Sequence, residues 1–223
     1  METQNIYNDE DAGVIVIPRS PFAALRLPKP KAIRPQTNLG IDIVQRIIDA
    51  SPESERESLA FAAFVVSFGT MGANLADLYE MRPPVDGVVE YNRRKTRTRR
   101  DDRALMRVAV DDRLAPYIAR LSSGRGKYWL DKLRAEASGL HISEVINDRL
   151  HACAEREGVR PFTFYAARKS WASIARNNAG VDKATVDECL CHRGDLRLAD
   201  IYIEKDWSLL WKANAKVLDL FAW

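Results

Sequence analysis

VDGVVEYNRRKTRTRRDDRALMRVAV, residues 85–110, places six Lys or Arg in the eight positions from Arg93 to Arg100, in a chain whose formal net charge is only +3. Gly87 marks a turn, VVEYN and LMRVAV flank the basic run with β-compatible residues, and Thr96 and Thr98 suit a strand. The pattern predicts a β-hairpin whose arms carry the basic residues, with RRDD (99–102) near its tip. Such a run is often no more than a solvated face. On a rigid hairpin it also suits a phosphate backbone, because Lys and Arg there release condensed counterions and fix register without reading sequence. Arg93, Arg94, Arg97, Arg99 and Arg100 are therefore candidate DNA-backbone contacts.

Outward from this segment the patterns are helical. NLGIDIVQRIIDA (38–50) and SPESERESLAFAAFVVSFGTM (51–71) precede it, the second with Ser51 as cap and Pro52 at the first helical position. DDRLAPYIARL (111–121), a segment over 141–157, FTFYAARKSWASIARNNAG (162–180), DKATVDECLCH (182–192) and DWSLLWKANAKVLDLFAW (206–223) follow it, and Asn178 and Gly180 are stop signals. Helices, one hairpin, then more helices predict a mainly α protein with a small antiparallel β-hairpin, an α+β fold; the order argues against a doubly wound sheet. Residues 1–35 differ. They hold one short strand-like run, VIVIP (14–18), and then Pro21, Pro28, Pro30 and Pro35, which forbid a long helix. The expected organisation is an extended N-terminal arm over 1–35 and one domain over 36–223.

Hydrophobic residues make up 46% of the 223, enough for a core, and a pI of about 8.8 permits an anionic partner. No run approaches the roughly 18 apolar residues of a membrane helix. The acidic start METQNIYNDEDAG is unlike a signal peptide, so a cytoplasmic, nucleoid-associated protein is expected. Cys153, Cys189 and Cys191 cannot all pair and read as buried thiols. HAC (151–153) and CLCH (189–192) offer metal ligands, but a single residue between Cys189 and Cys191 is closer than structural zinc favours. The GxxxxGK, GxSxG and HExxH motifs are absent, which removes the commonest nucleotide-binding and hydrolase readings.

A phosphoryl-transfer site needs a nucleophile, cations around the phosphate and a proton donor for the leaving oxygen. The second half of the chain offers them in close order. Arg168 sits on a helix whose apolar face is Trp171, Ile174 and Ala175; His192, one of only three histidines, ends the next helix; Tyr202 follows ten residues later.

In this order the segments resemble the catalytic domain of the tyrosine recombinases, or phage-type integrases, over about residues 32–223. GTMGANLADLYEM (69–81) resembles the family's TGxRxxEL segment, with Asp77 and Leu78 in the acidic-Leu place. RRKT supplies the hairpin lysine at Lys95, YAARKSWASIA resembles the HxxR helix with Arg168, LCH resembles LGH with His192, and YI holds the nucleophile's place with Tyr202. VSF, DLYEM, YNRRKT and IYIEKDW are similar to a branch found in mobile elements. Each motif is short; five in the family's order carry the resemblance.

The resemblance implies a tyrosine recombinase fold, double-stranded DNA as partner, self-association into dimers or tetramers on DNA, and no cofactor. Tyr202 would attack a phosphodiester to form a 3′-phosphotyrosyl bond, Arg168 and His192 would hold the non-bridging oxygens, and Lys95 would protonate the departing 5′-oxygen. Three positions depart from the pattern. Asn74 stands where the family has its first Arg, Tyr165 where it has the His of HxxR, and Cys191 where it has the Gly of LGH. Asn74 cannot neutralise a phosphate, and losing one such donor costs on the order of a hundred- to a thousandfold in rate. Arg82 or a hairpin Arg can substitute; the sequence does not choose between them. Cys191 implies strain, or a shifted His192, if that backbone needs positive φ.

The family also carries a helical DNA-clamping domain, of which SPFAALRLPKPKAIRP resembles only the last linker, so weak and strongly salt-dependent DNA binding is expected. In the C-terminal segment Leu210, Ala213, Val217, Leu220 and Phe221 form one stripe, which either docks on its own core or is donated to a neighbour. Two functions follow: a DNA-cutting and rejoining recombinase, or a degenerate remnant that binds DNA without cleaving it.

Overall fold

The computed structural model describes residues 8–9, 14–15, 38–192 and 205–223. The chain divides into two compact units, residues 1–36 and 37–223. In the first, β1 (Asn8–Asp9) pairs antiparallel with β2 (Val14–Ile15), Asn8 opposite Ile15. The rest of the expected arm, with its five prolines, lies outside the described residues.

The second unit runs α1 (Ile41–Ile48), α2 (Glu55–Gly69), α3 (Leu75–Glu80), β3 (Val88–Asn92), β4 (Leu105–Ala109), α4 (Ala115–Leu121), α5 (Lys132–Glu136), α6 (Ile142–Arg156), α7 (Ala166–Asn177), α8 (Lys183–Cys189) and α9 (Trp207–Leu218). It is mainly helical with one two-stranded antiparallel sheet, the expected α+β class. No helix among the described residues is long and apolar enough to cross a membrane.

α2 is the centre of the fold. Every residue from Leu59 to Gly69 is buried, because the stretch is apolar all round and only a helix enclosed by others can bury such a surface. It packs against α1, α3, α4, α6 and α7. Ser54, not Ser51, caps it: Ser54 Oγ accepts from Glu57 N–H at 3.2 Å, while the Glu57 carboxylate accepts from Glu53 N–H at 3.0 Å. The Ser-x-x-Glu spacing satisfies two orphan donors, which the Ser51–Pro52 start does not.

The hairpin forms around the expected turn, with Val88 opposite Ala109 and Asn92 opposite Leu105, but its basic residues are not in its arms. They lie in the connection, where Thr96 ends a turn and Thr98 sits in a 3-10 turn over Arg97–Arg99. Local bonds outcompete the ladder there. Arg93 C=O accepts from Thr96 and Arg97 N–H, Asp102 Oδ1 accepts from Ala104 N–H, and Asn92 Nδ2 donates to Arg103 C=O.

α9 docks on its own unit through Leu210, Ala213, Val217 and the following Phe221, whereas Leu220 is 39% exposed because the helical period ends at Leu218. Buried Asn214 takes the Trp171 indole N–H at 2.8 Å and gives its amide to Gly69 C=O at 2.8 Å, so one side chain ties α9 to α7 and α2.

Candidate functional site

A cleft of ≈ 630 Å³ opens between three stretches that are far apart in sequence. Asn74, Leu75, Ala76 and Asp77 come from the start of α3, Arg93, Arg94 and Lys95 from the hairpin connection, and Thr163, Phe164 and Tyr165 from the entry to α7; Ser143 and Asn147 of α6 close one side. Of the sequence-predicted site residues, the structure therefore gathers Lys95, Tyr165, Arg93 and Arg94 around one opening, together with Asn74.

The turn between α2 and α3 sets one wall. Met71 (φ 57°) and Gly72 (φ 70°) are both left-handed, which reverses the chain within two residues. A Cβ on Gly72 would lie 2.5 Å from the Arg168 Cα, so the absent side chain is what lets α7 approach. Arg168 then donates Nη1 to Gly72 C=O at 3.0 Å. Its burial follows from the helix period: Arg168, Trp171 and Ala175 share the inward face of α7.

A second convergence lies at the C-terminus of α8. Three successive carbonyls past its last turn accept from guanidinium groups: Leu190 from Arg168 Nη2, Cys191 from Arg93 Nη1 at 3.4 Å, and His192 from Arg100 Nη1 at 3.4 Å. A helix end presents unsatisfied carbonyls and the negative end of its dipole, so cations gather there. The end itself is a Schellman motif, with His192 N–H on Asp187 C=O at 2.9 Å and Cys191 N–H on Glu188 C=O at 2.8 Å. Its left-handed position is Cys191, φ 51°, where a glycine is usual, and the backbone bears roughly 1–2 kcal/mol of strain as a result.

Arg168 is 5% exposed and Arg93 6% exposed, and neither has a carboxylate within 4.0 Å among the described residues. Burial, then the neighbouring Arg93 charge, pulls Arg168 below the ordinary guanidinium range. Asp77 is also buried, and desolvation pushes its carboxyl up against the pull of the Arg94 N–H and of the Arg93 and Arg168 charges. Its Oδ1 accepts from Arg94 N–H at 2.8 Å, which fixes the backbone beside Lys95 to α3. Burial likewise raises the Tyr91 phenol above its usual range.

The remaining predicted residues are more exposed. Lys95 has no carboxylate partner among the described residues. Arg94 and Arg97 share Glu80 at 3.4 and 3.8 Å, exposed pairs worth at most about 1 kcal/mol each. Arg100 pairs with Asp102, and Arg99 is exposed. Tyr165 is 44% exposed, with Lys169 Nζ over its ring at 5.7 Å. His192 does not line the cleft; its Nδ1 lies 3.1 Å from Asp187 Oδ1. Arg82 donates to Lys127 C=O at 3.3 Å and covers the Tyr128 ring, and it is not among the residues that line the cleft. Tyr202 lies outside the described residues.

Sequence reasoning missed Ser143 and Asn147. They stand four residues apart beside the buried Ile142, Ile146 and Leu150, a polar stripe next to an apolar one, and Asn147 Oδ1 accepts from Phe164 N–H at 2.8 Å. Cys153, Cys189 and Cys191 are buried free thiols, and no His, Cys, Asp and Glu cluster able to hold a metal occurs among the described residues. Compared with protein-family models, curated proteins and solved structures, the chain matches none.

Proposed function

We propose that residues 37–223 are the catalytic domain of a tyrosine recombinase that cuts and rejoins double-stranded DNA through a 3′-phosphotyrosyl intermediate. The observation that carries this reading is the convergence on one cleft of segments ordered as in that family. The Asn74 turn, the Lys95 connection and Tyr165 at the entry to α7 line it; Arg168 is not among its lining residues and is bonded to the Gly72 and Leu190 carbonyls, while Arg93, which does line it, donates to the Cys191 carbonyl of the segment ending in His192.

In the proposed reaction the Tyr202 hydroxyl gives its proton to solvent as its oxygen attacks phosphorus, the P–O5′ bond breaks, and Lys95 Nζ gives a proton to the departing 5′-oxygen. The phosphorus stays covalently attached to the enzyme until a 5′-hydroxyl attacks it and releases the tyrosine. Arg168 uses two of its five N–H donors on Gly72 and Leu190 carbonyls, which holds the guanidinium while leaving donors for a phosphate oxygen. Arg94, which lines the cleft, and the exposed Arg97 and Arg99 of the same connection carry charge suited to the neighbouring phosphates, and Arg100 is half-buried and paired with Asp102. Self-association on DNA belongs to the same proposal.

A non-cleaving DNA-binding remnant is the second reading, favoured by Asn74 standing in the cleft where the family has a cation. An SDS-resistant protein–DNA adduct separates the two. Wild type, Tyr202→Phe and Asn74→Arg are incubated with a nicked duplex library that traps cleavage. An adduct in wild type that Tyr202→Phe loses is the expected result. An adduct only in Asn74→Arg supports the remnant, and an adduct undiminished in Tyr202→Phe refutes Tyr202 as nucleophile.

A further inference from the structure

We propose that Arg93 is the core of an oxyanion site in this cleft and supplies the phosphate-binding charge that Asn74 lacks. The inference deepens the reading of the cleft as a phosphodiester site and rests on it for its biological ligand. Its physical basis is independent of Tyr202.

Arg93 combines features that a structural arginine does not normally show together. It is 6% exposed, yet it lines the cleft beside Asn74, Lys95 and Tyr165. Its Nε is buried with no hydrogen-bond partner, and its one protein acceptor among the described residues is Cys191 C=O at a long 3.4 Å. Thr96 Oγ1, in the same connection, is also buried without a partner. Buried guanidinium donors are ordinarily satisfied, and an orphan at the edge of an opening marks the place of a group that arrives from solution.

The charge balance leads the same way. The Arg93 charge disfavours that of Arg168, and Asp77, the one buried carboxylate among the described residues, is shifted toward its neutral form by desolvation while its Oδ1 is engaged by the Arg94 N–H. Two buried cations are thus left with incomplete compensation. Such a pair is costly in the empty protein, and an anion entering the cleft removes the cost. The planar guanidinium, with free donors on one edge, matches a tetrahedral oxyanion such as a phosphodiester.

The geometry explains why Asn74 is tolerable. Asn74 is the N-cap residue of α3 and half-buried, able to donate an amide hydrogen but no charge. Arg93, the residue after β3, lines the same opening. The charge is therefore supplied from the hairpin connection instead of the α2–α3 turn, with Lys95 two residues away to meet the leaving oxygen.

The test is thermal unfolding of the full chain with inorganic phosphate as probe, compared with chloride at equal ionic strength. Wild type, Arg93→Gln, Arg93→Met and, as a control for lost charge outside the cleft, Arg82→Gln are run together. Phosphate is expected to raise the Tm of wild type and Arg82→Gln by several degrees, and to leave Arg93→Gln and Arg93→Met unshifted. Without phosphate, both Arg93 variants are expected to unfold at or above the wild-type temperature, because an uncompensated buried charge has been removed. A wild type indifferent to phosphate, an equal shift in Arg93→Gln, a loss of the shift in Arg82→Gln, or Arg93 variants that fail to fold each overturn the proposal. A phosphate shift confined to proteins with Arg93 stands even if no covalent adduct forms, so this inference and the proposed reaction fail separately.

Discussion

Gly72→Ala tests whether the α2–α3 turn and α7 are packed backbone against backbone. The built Cβ lies 2.5 Å from the Arg168 Cα and 2.7 Å from its Cβ, and neither atom is the far end of a flexible side chain. The residue is also left-handed, at φ +70°. The left-handed backbone alone costs a non-glycine residue about 1 kcal/mol, and forcing an extra carbon into a filled core costs about 1–3 kcal/mol more. With a urea m-value of about 2 kcal/mol/M, the unfolding midpoint should fall by about 1–2 M. Gly180→Ala isolates the backbone component, because Gly180 has φ +66° and nothing within 4 Å of its built Cβ; its midpoint should fall by only about 0.5 M. Urea titrations followed by far-UV circular dichroism measure both. Equal midpoints for the two variants would refute the claim that α7 meets the turn through its backbone.

Asn214→Ala should cost about 2–4 kcal/mol by urea unfolding, because it leaves both the Trp171 indole N–H and the Gly69 carbonyl buried without a partner. The Arg156 hydrogen bond holds the Glu57 carboxyl below its ordinary range, so this pair adds stability above the ordinary carboxylate pKa and loses it as pH falls through the lowered value. Arg156→Gln should therefore destabilise at pH 7, with the difference from wild type shrinking below about pH 4.5 in thermal unfolding. Burial pushes the Cys189 thiol up to about 12 and the Cys153 thiol up to about 11, and raises Cys191. At pH 8 all three should react with a thiol-specific disulfide reagent only at the rate of unfolding, and a fast native phase would contradict their burial.

Legibility in the sequence tracked how local the controlling interaction is. The strain at Cys191 was legible as a departure from the glycine of the segment it resembles, and its φ is 51°, whereas Arg168 was read only as a residue of a helix with Trp171 and Ala175 on its apolar face. The arms of the hairpin were predicted to carry the basic residues, because strand propensity does not register the Asn92, Arg93 and Asp102 bonds that turn residues 93–104 into a structured connection. Ser51 was read as the α2 cap because Pro52 is a strong local signal; the Ser54–Glu57 pairing, which that reading passed over, prevailed by satisfying more donors.

The amino-acid sequence by itself determined most of the helices and their order around one hairpin, and a basic run that includes Lys95. These follow from periodicity, capping and turn chemistry, which act over a few residues. Within the basic run, which arginine is buried was decided by tertiary structure alone. Arg93 and Arg94 are adjacent in one run, yet Arg93 turns inward to the Cys191 carbonyl while Arg94 faces Glu80 at the surface. That difference arises from the carbonyls at the end of α8 and the carboxylate of Asp77. Both lie far from the run in the chain, and only folding brings them beside it.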